Sequence, residues 1–162
     1  MNTDWLYKKR VLVVDDEPDV IKTLEDLLTM CTIYKASTFE EAKSILETQN
    51  LEIAILDIMG VDGYKLLEIA NKRKVIAVML TAHALSPEDT VKSFKKGASY
   101  YIPKEKMADI VTYLNDVIEA EEQEKNVFVR WMDRFGAYYD KKFGEEWKDR
   151  DRDFWNKFPK IY

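Results

Sequence analysis

VLVVDDEPDV, residues 11–20, joins four apolar residues to Asp15, Asp16, Glu17 and Pro18. The apolar run reads as a short buried strand, and the acids stand at its end. Two full charges about 4 Å apart repel by roughly 4 kcal/mol at an effective dielectric near 20, so something must offset this crowding. A carboxyl can keep its proton. The N–H groups of a helix start, which Pro18 suits, can receive the acids. A bound cation is the third remedy. The stretch by itself leaves all three open.

Outward from it, short apolar runs alternate with helical patterns. Val20, Ile21, Leu24, Leu27 and Leu28 fall on one face of a helix. TIYKAS (32–37) reads as a second strand, followed by a helix marked by Phe39, Ala42, Ile45 and Leu46. IAIL (53–56) is a third strand ending at Asp57, and Gly63 opens the next helix. VIAVML (75–80) ends at Thr81, after which Ser86-Pro87-Glu88-Asp89 is a capped helix start and Gly97 a stop. Tyr100-Tyr101-Ile102 is a short fifth strand closing on Pro103 and Lys104, and a final helix is expected from near Lys106.

Five strands each followed by a helix predict an α/β fold with a parallel sheet covered on both faces. Right-handed crossovers then place every strand's C-terminal end on one edge, where such sheets bind ligands. Asp15 and Asp16, Asp57, Thr81 and Lys104 therefore converge. Three carboxylates around a point suit a hard cation such as Mg²⁺. A lysine and a hydroxyl suit phosphate oxygens, and a carboxylate can act as a nucleophile on phosphorus.

This set resembles the receiver domain of two-component response regulators over residues 8–122, carried by VLVVDDEPDV, ILDIMGVDGY, VMLTA and GASYYIPK. The resemblance implies a flavodoxin-like doubly wound sheet of order 2-1-3-4-5. It implies Asp57 as phosphoacceptor, with Thr81 and Lys104 completing the catalytic group. Asp15, Asp16, Asp57 and the Met59 backbone carbonyl would hold Mg²⁺, and Thr81 with Tyr101 would form the switch. The implied partner is a histidine kinase or histidine phosphotransfer protein.

Two departures stand out. The family usually reads D-x-x-M-P-x-x-x-G after the acceptor, whereas Asp57-Ile58-Met59-Gly60-Val61-Asp62-Gly63 is two residues shorter and lacks the proline. Gly60 and Gly63 permit a tight turn there, and an altered lifetime of the phosphorylated state is the expectation. Lys104-Glu105 replaces a common Lys-Pro. Two rival readings are a receiver-like binding module that takes no phosphate and an aspartate-nucleophile phosphatase. The second needs an acid two residues beyond its nucleophile, where Met59 stands. His83, two positions past Thr81, is a weaker acid–base candidate.

Composition narrows the field. One compact domain with an appendage fits 162 residues. Cys31 is the single cysteine, which excludes a disulfide framework and a cysteine-based zinc site, and it reads as a buried thiol. The N-terminus lacks the pattern of a signal peptide and no apolar run approaches the roughly 20 residues of a membrane span, so a cytoplasmic location is expected.

From Glu121 onward the pattern changes, and the division falls at 1–122 and 123–162. The first part holds 15 basic and 22 acidic side chains, net −7; the second holds 10 and 8, net +2. That near-balance argues against nucleic acid. Phe128, Trp131, Phe135 and Tyr138 share a helical face, and Phe143, Trp147, Phe154, Trp155 and Phe158 continue an aromatic series. The last receiver helix is expected to run on, turn at Gly144 and continue in a second helix. So much aromatic surface must be covered, by the chain's own receiver, by a second copy or by a partner. A packed or dimerising arm is the favoured reading, with a homodimer through residues 123–162 or through the strand 4 to strand 5 face.

Overall fold

The computed structural model describes residues 4–82 and 85–157; His83 and Phe158 lie outside the described residues. Five strands form one sheet: β1 (Arg10–Val14), β2 (Thr32–Ala36), β3 (Ile53–Asp57), β4 (Ile76–Thr81) and β5 (Tyr100–Pro103). All pairings are parallel and the order is β2-β1-β3-β4-β5. The expected order of a parallel sheet is therefore present. β3 is buried along its whole length, as its unbroken apolar run requires of a strand covered on both faces.

The helices are α1 (Pro18–Leu27), α2 (Phe39–Thr48), α3 (Gly63–Lys72), α4 (Pro87–Lys95), α5 (Ile110–Glu122), α6 (Phe128–Phe143) and α7 (Arg152–Lys157). Local chemistry sets their ends. Ser86 Oγ accepts from the Asp89 backbone N–H at 2.9 Å and caps α4, with Pro87 in the first turn. Gly97, at φ +99°, closes α4 while the Ala98 N–H returns to the Ser93 carbonyl.

Two expectations about the C-terminal third need correction. The chain after β5 first forms a 3-10 turn over Lys104–Asp109, and the helix starts only at Ile110. Nor does α5 run on. Glu124 takes a left-handed φ of 52°, and the Lys125 N–H bonds back to the Ala120 carbonyl at 2.8 Å, a helix stop that needs no glycine. Asn126 Oδ1 then accepts from the Phe128 N–H and starts α6. Gly144 ends α6 at φ +88°, as expected.

The chain's own sheet and helices cover the aromatic face. α6 lies across α4, β5 and α5, and Phe128, Trp131, Phe135 and Tyr139 join the same apolar cluster as the sheet. Trp131 is fully buried and meets Phe94 of α4 edge-on at 5.3 Å. Its indole N–H donates to the Tyr101 carbonyl of edge strand β5 at 2.7 Å. Tyr139 shares a 2.5 Å hydrogen bond with Thr90 of α4. This face is thus occupied within one chain, so of the two arms expected the packed one is present. Phe94, Tyr100 and Tyr113 meet the aromatics of α6.

A buried acid makes the junction specific. Asp116 of α5 is 4% exposed yet receives Arg134 through Nε and Nη2, Arg130 at 3.5 Å and the Tyr100 hydroxyl at 3.2 Å. Buried charge is tolerated only with such pairing.

Trp131→Ala would leave a large cavity and strip the Tyr101 carbonyl of its donor. A loss of about 3–5 kcal/mol is expected in urea denaturation of the full chain. A loss below about 1 kcal/mol would mean that α6 is not held on this face.

Candidate functional site

The parallel sheet delivers the predicted residues to one edge. Asp15 follows β1, Asp57 and Thr81 are the last residues of β3 and β4, and Lys104 follows β5 directly. Asp15, Asp57 and Thr81 are buried. Lys104 reaches across them: its Nζ is 2.9 Å from Asp15 Oδ2, 3.5 Å from Asp57 Oδ1 and 2.7 Å from Glu17 Oε1. The 3-10 turn that replaces an immediate helix gives Lys104 this direction.

Glu17 is the residue that sequence reasoning noticed but left out of the site. It stands at the N-terminal boundary of α1 and holds the lysine on its solvent side. The signal was its place beside Asp15 and Asp16. Carboxylate oxygens of Asp15, Asp16 and Glu17 lie within 4.8 Å of one another. Asp57 stands apart from that trio, across Lys104.

The turn after Asp57 is tight, as its two glycines suggested. The Gly63 N–H bonds to the Ile58 carbonyl at 3.0 Å, and a Cβ on Gly63 would lie 2.1 Å from the Asp57 carbonyl oxygen. Gly60, at φ +84°, passes so close to Asp16 that a Cβ would sit 2.5 Å from its Oδ2. The shortened loop thus passes close to Asp16, at a spacing only glycine allows, and the Met59 side chain projects into solvent.

Electrostatics follow from burial. Asp57 is pushed up to about 7, by desolvation first and by the charge of Asp15 second, with Lys104 opposing. Desolvation also raises Asp15, again against Lys104. Burial opposes the charge on Lys104, but its hydrogen bonds to Glu17 and Asp15 outweigh that and raise its pKa. Desolvation holds the half-buried Cys31 thiol protonated, at about 11, in keeping with a structural role.

The residues present suit a hard cation. Asp15 Oδ2 is buried and meets Lys104 Nζ at 2.9 Å, one contact that leaves the carboxylate a further lone pair for a metal. An all-oxygen donor set suits Mg²⁺.

Tyr101, the expected switch aromatic, is fully buried on β5, with its phenol against the Thr90 hydroxyl. Desolvation raises its pKa.

Residues 11–115 match the family profile of the response regulator receiver domain. The chain belongs to that family. It is 35% identical over 101 residues to the two-component response regulator ARR18 of Arabidopsis thaliana, covering 59% of this chain and 16% of that protein. It is 36% identical over 99 residues to the heme response regulator HssR of Staphylococcus aureus (strain Newman), covering 57% and 43% respectively. The chain thus spans less than half the length of either relative. Among solved structures, a CheY-like receiver domain protein from Methanospirillum hungatei JF-1 superposes with a TM-score of 0.66 at 26% identity, covering 72% of this chain and 98% of that one. A response regulator from Thermotoga maritima shares the fold at a TM-score of 0.63 and 19% identity. Among the described residues, no helix is long and apolar enough to cross a membrane.

The raised Asp57 carboxyl carries a signed pH dependence. Between its ordinary value of 3.8 and about 7, it binds more protons folded than unfolded, so stability falls as pH rises through that window. In chelator, Asp57→Asn should therefore raise the melting temperature at pH 8, by about 2–4 °C for each kcal/mol relieved. Little change is expected at pH 4. Equal shifts at both pH values would show that the ionised carboxylate is not the source.

Proposed function

We propose that this receiver accepts a phosphoryl group on Asp57 from the phosphohistidine of a histidine kinase or histidine phosphotransfer protein, and signals by protein–protein contact. The observation that carries the reading is the Lys104 ammonium lying between the Asp15 and Asp57 carboxylates at the mouth of the sheet. An Asp57 carboxylate oxygen attacks phosphorus as the phosphorus–nitrogen bond to imidazole breaks. The imidazole leaves with the bond's electron pair and takes up a proton. Lys104 then shifts its charge from Glu17 and Asp15 toward the new phosphoryl oxygens, and the Thr81 hydroxyl donates to another.

Asp15, Asp16, Asp57 and the Met59 carbonyl would hold Mg²⁺. When bound, Mg²⁺ would supply the positive charge that favours the Asp57 carboxylate and offsets charge on the phosphoryl oxygens. The close approach of the Gly60 turn to Asp16 supports the expectation of an altered phosphoryl lifetime. Family membership favours signalling over turnover of free phosphate esters, and Met59, standing where such a phosphatase places its second acid, supports the same choice.

Intact-protein mass, measured after incubation with Mg²⁺ and a small acyl phosphate, tests the proposal. One added phosphoryl group is expected, absent in Asp57→Asn and in chelator. An unmodified mass in the wild-type chain, with Mg²⁺ binding demonstrated separately, would favour a binding module that takes no phosphate.

A further inference from the structure

The short segment 101–105 carries Lys104 between two anchors that belong to α6. At its start, the Tyr101 carbonyl takes the Trp131 indole N–H at 2.7 Å. At its end, Glu105 accepts from the Tyr138 hydroxyl and meets Lys142 Nζ at 3.5 Å. A third link runs beside the segment, from the Tyr101 phenol against Thr90 to the hydrogen bond between Thr90 and Tyr139. The segment that aims Lys104 thus meets α6 at both ends, through the Tyr101 backbone carbonyl and the Glu105 side chain.

We propose that Trp131 and Tyr138 are positioning residues for Lys104, so that docking of α6 and loading of the Asp57 site strengthen each other. This rests on the reading of Asp57 as phosphoacceptor. Lys104 has two sets of partners: Glu17 and Asp15 at 2.7 and 2.9 Å, and Asp57 at 3.5 Å. A phosphoryl group would draw the ammonium the short distance toward Asp57. A segment pinned at both ends permits that side-chain movement while holding the backbone near the productive geometry, whereas a loose segment must be ordered at the moment of loading. Linkage makes the effect reciprocal: whatever α6 adds to loading, loading adds to the docking of α6. α6, which supplies the anchors, lies beyond the family match, which ends at residue 115.

The test uses full-length chains, Mg²⁺ and beryllofluoride, a mimic of the phosphoryl group. Trp131→Phe keeps a ring in the core but deletes the indole N–H, and Tyr138→Phe removes only the hydroxyl at the solvent-facing rim. Beryllofluoride affinity is read by fluorine NMR, with Asp57→Asn as the control for the site. Amide exchange of residues 128–143 is followed with and without the ligand. Each variant should bind beryllofluoride more weakly, by about fivefold where one net hydrogen bond of coupling is lost. Exchange in α6 should slow on loading in the wild type, and less so in the variants. A merely structural role would lower stability while leaving both readouts unchanged. Equal affinities and an α6 indifferent to ligand would overturn the positioning role and leave the phosphoacceptor reading intact. Failure of the wild-type chain to load would overturn both.

Discussion

Two buried carboxylates from different strands can share the mouth of this sheet because one lysine stands between them. Lys104 meets Asp15 and Asp57 from a short turn after β5, and everything that fixes the end of β5 fixes the site. The compensation is incomplete. Asp57 still lies well above its ordinary range, because desolvation and the Asp15 charge exceed what a shared ammonium returns. A site left with an excess of negative character has standing affinity for further cations, and that excess is what a hard metal ion would satisfy. Glu17 plays a distinct part: it offers Lys104 a second, solvent-side partner, so the lysine can divide its charge between two settings.

How far this was legible in the sequence depends on the range of the interaction. Strand positions, the order of the sheet and the meeting of Asp15, Asp57, Thr81 and Lys104 follow from apolar runs and from the handedness of crossovers, which leave little freedom. Helix starts such as Ser86-Pro87 are equally local. The docking of α6 was not legible, because a periodic aromatic face says that something must cover it without saying what. Asp116 hid for a related reason. An aspartate in a helix reads as solvent-facing until the arginines that enclose it, 14 and 18 residues further on, are placed. The stop at Glu124 was missed because it uses a non-glycine residue at positive φ, where sequence offers no marker.

The C-terminal segment is therefore part of the receiver's packing as much as an attachment to it. Tyr100 meets Phe135 edge-on and Tyr113 meets it at a tilt, Phe94 meets both Phe128 and Trp131, and Trp155 lies on Trp131. Aromatic contacts of this kind add to the stabilisation from buried area. They also make α5 a helix buried on nearly every side, unlike the surface helices α1 and α2. A receiver helix that would otherwise have a polar outer face instead carries Asp116 inward, in a setting that only α6 makes tolerable.

The Trp131 indole has one more consequence, for the borders of the sheet. An open parallel sheet ends in two strands whose outward backbone groups invite another strand to pair with them. On the β5 border the Tyr101 carbonyl is already engaged and α6 lies alongside, so strand addition there would first have to displace a buried tryptophan. The opposite border, β2, has no such cover among the described residues. It carries Lys35, the fourth of its five residues, paired to Glu25 on α1 at 3.3 Å. One border is closed by an aromatic lid and the other guarded by charge, two unlike defences against end-to-end growth of the same sheet.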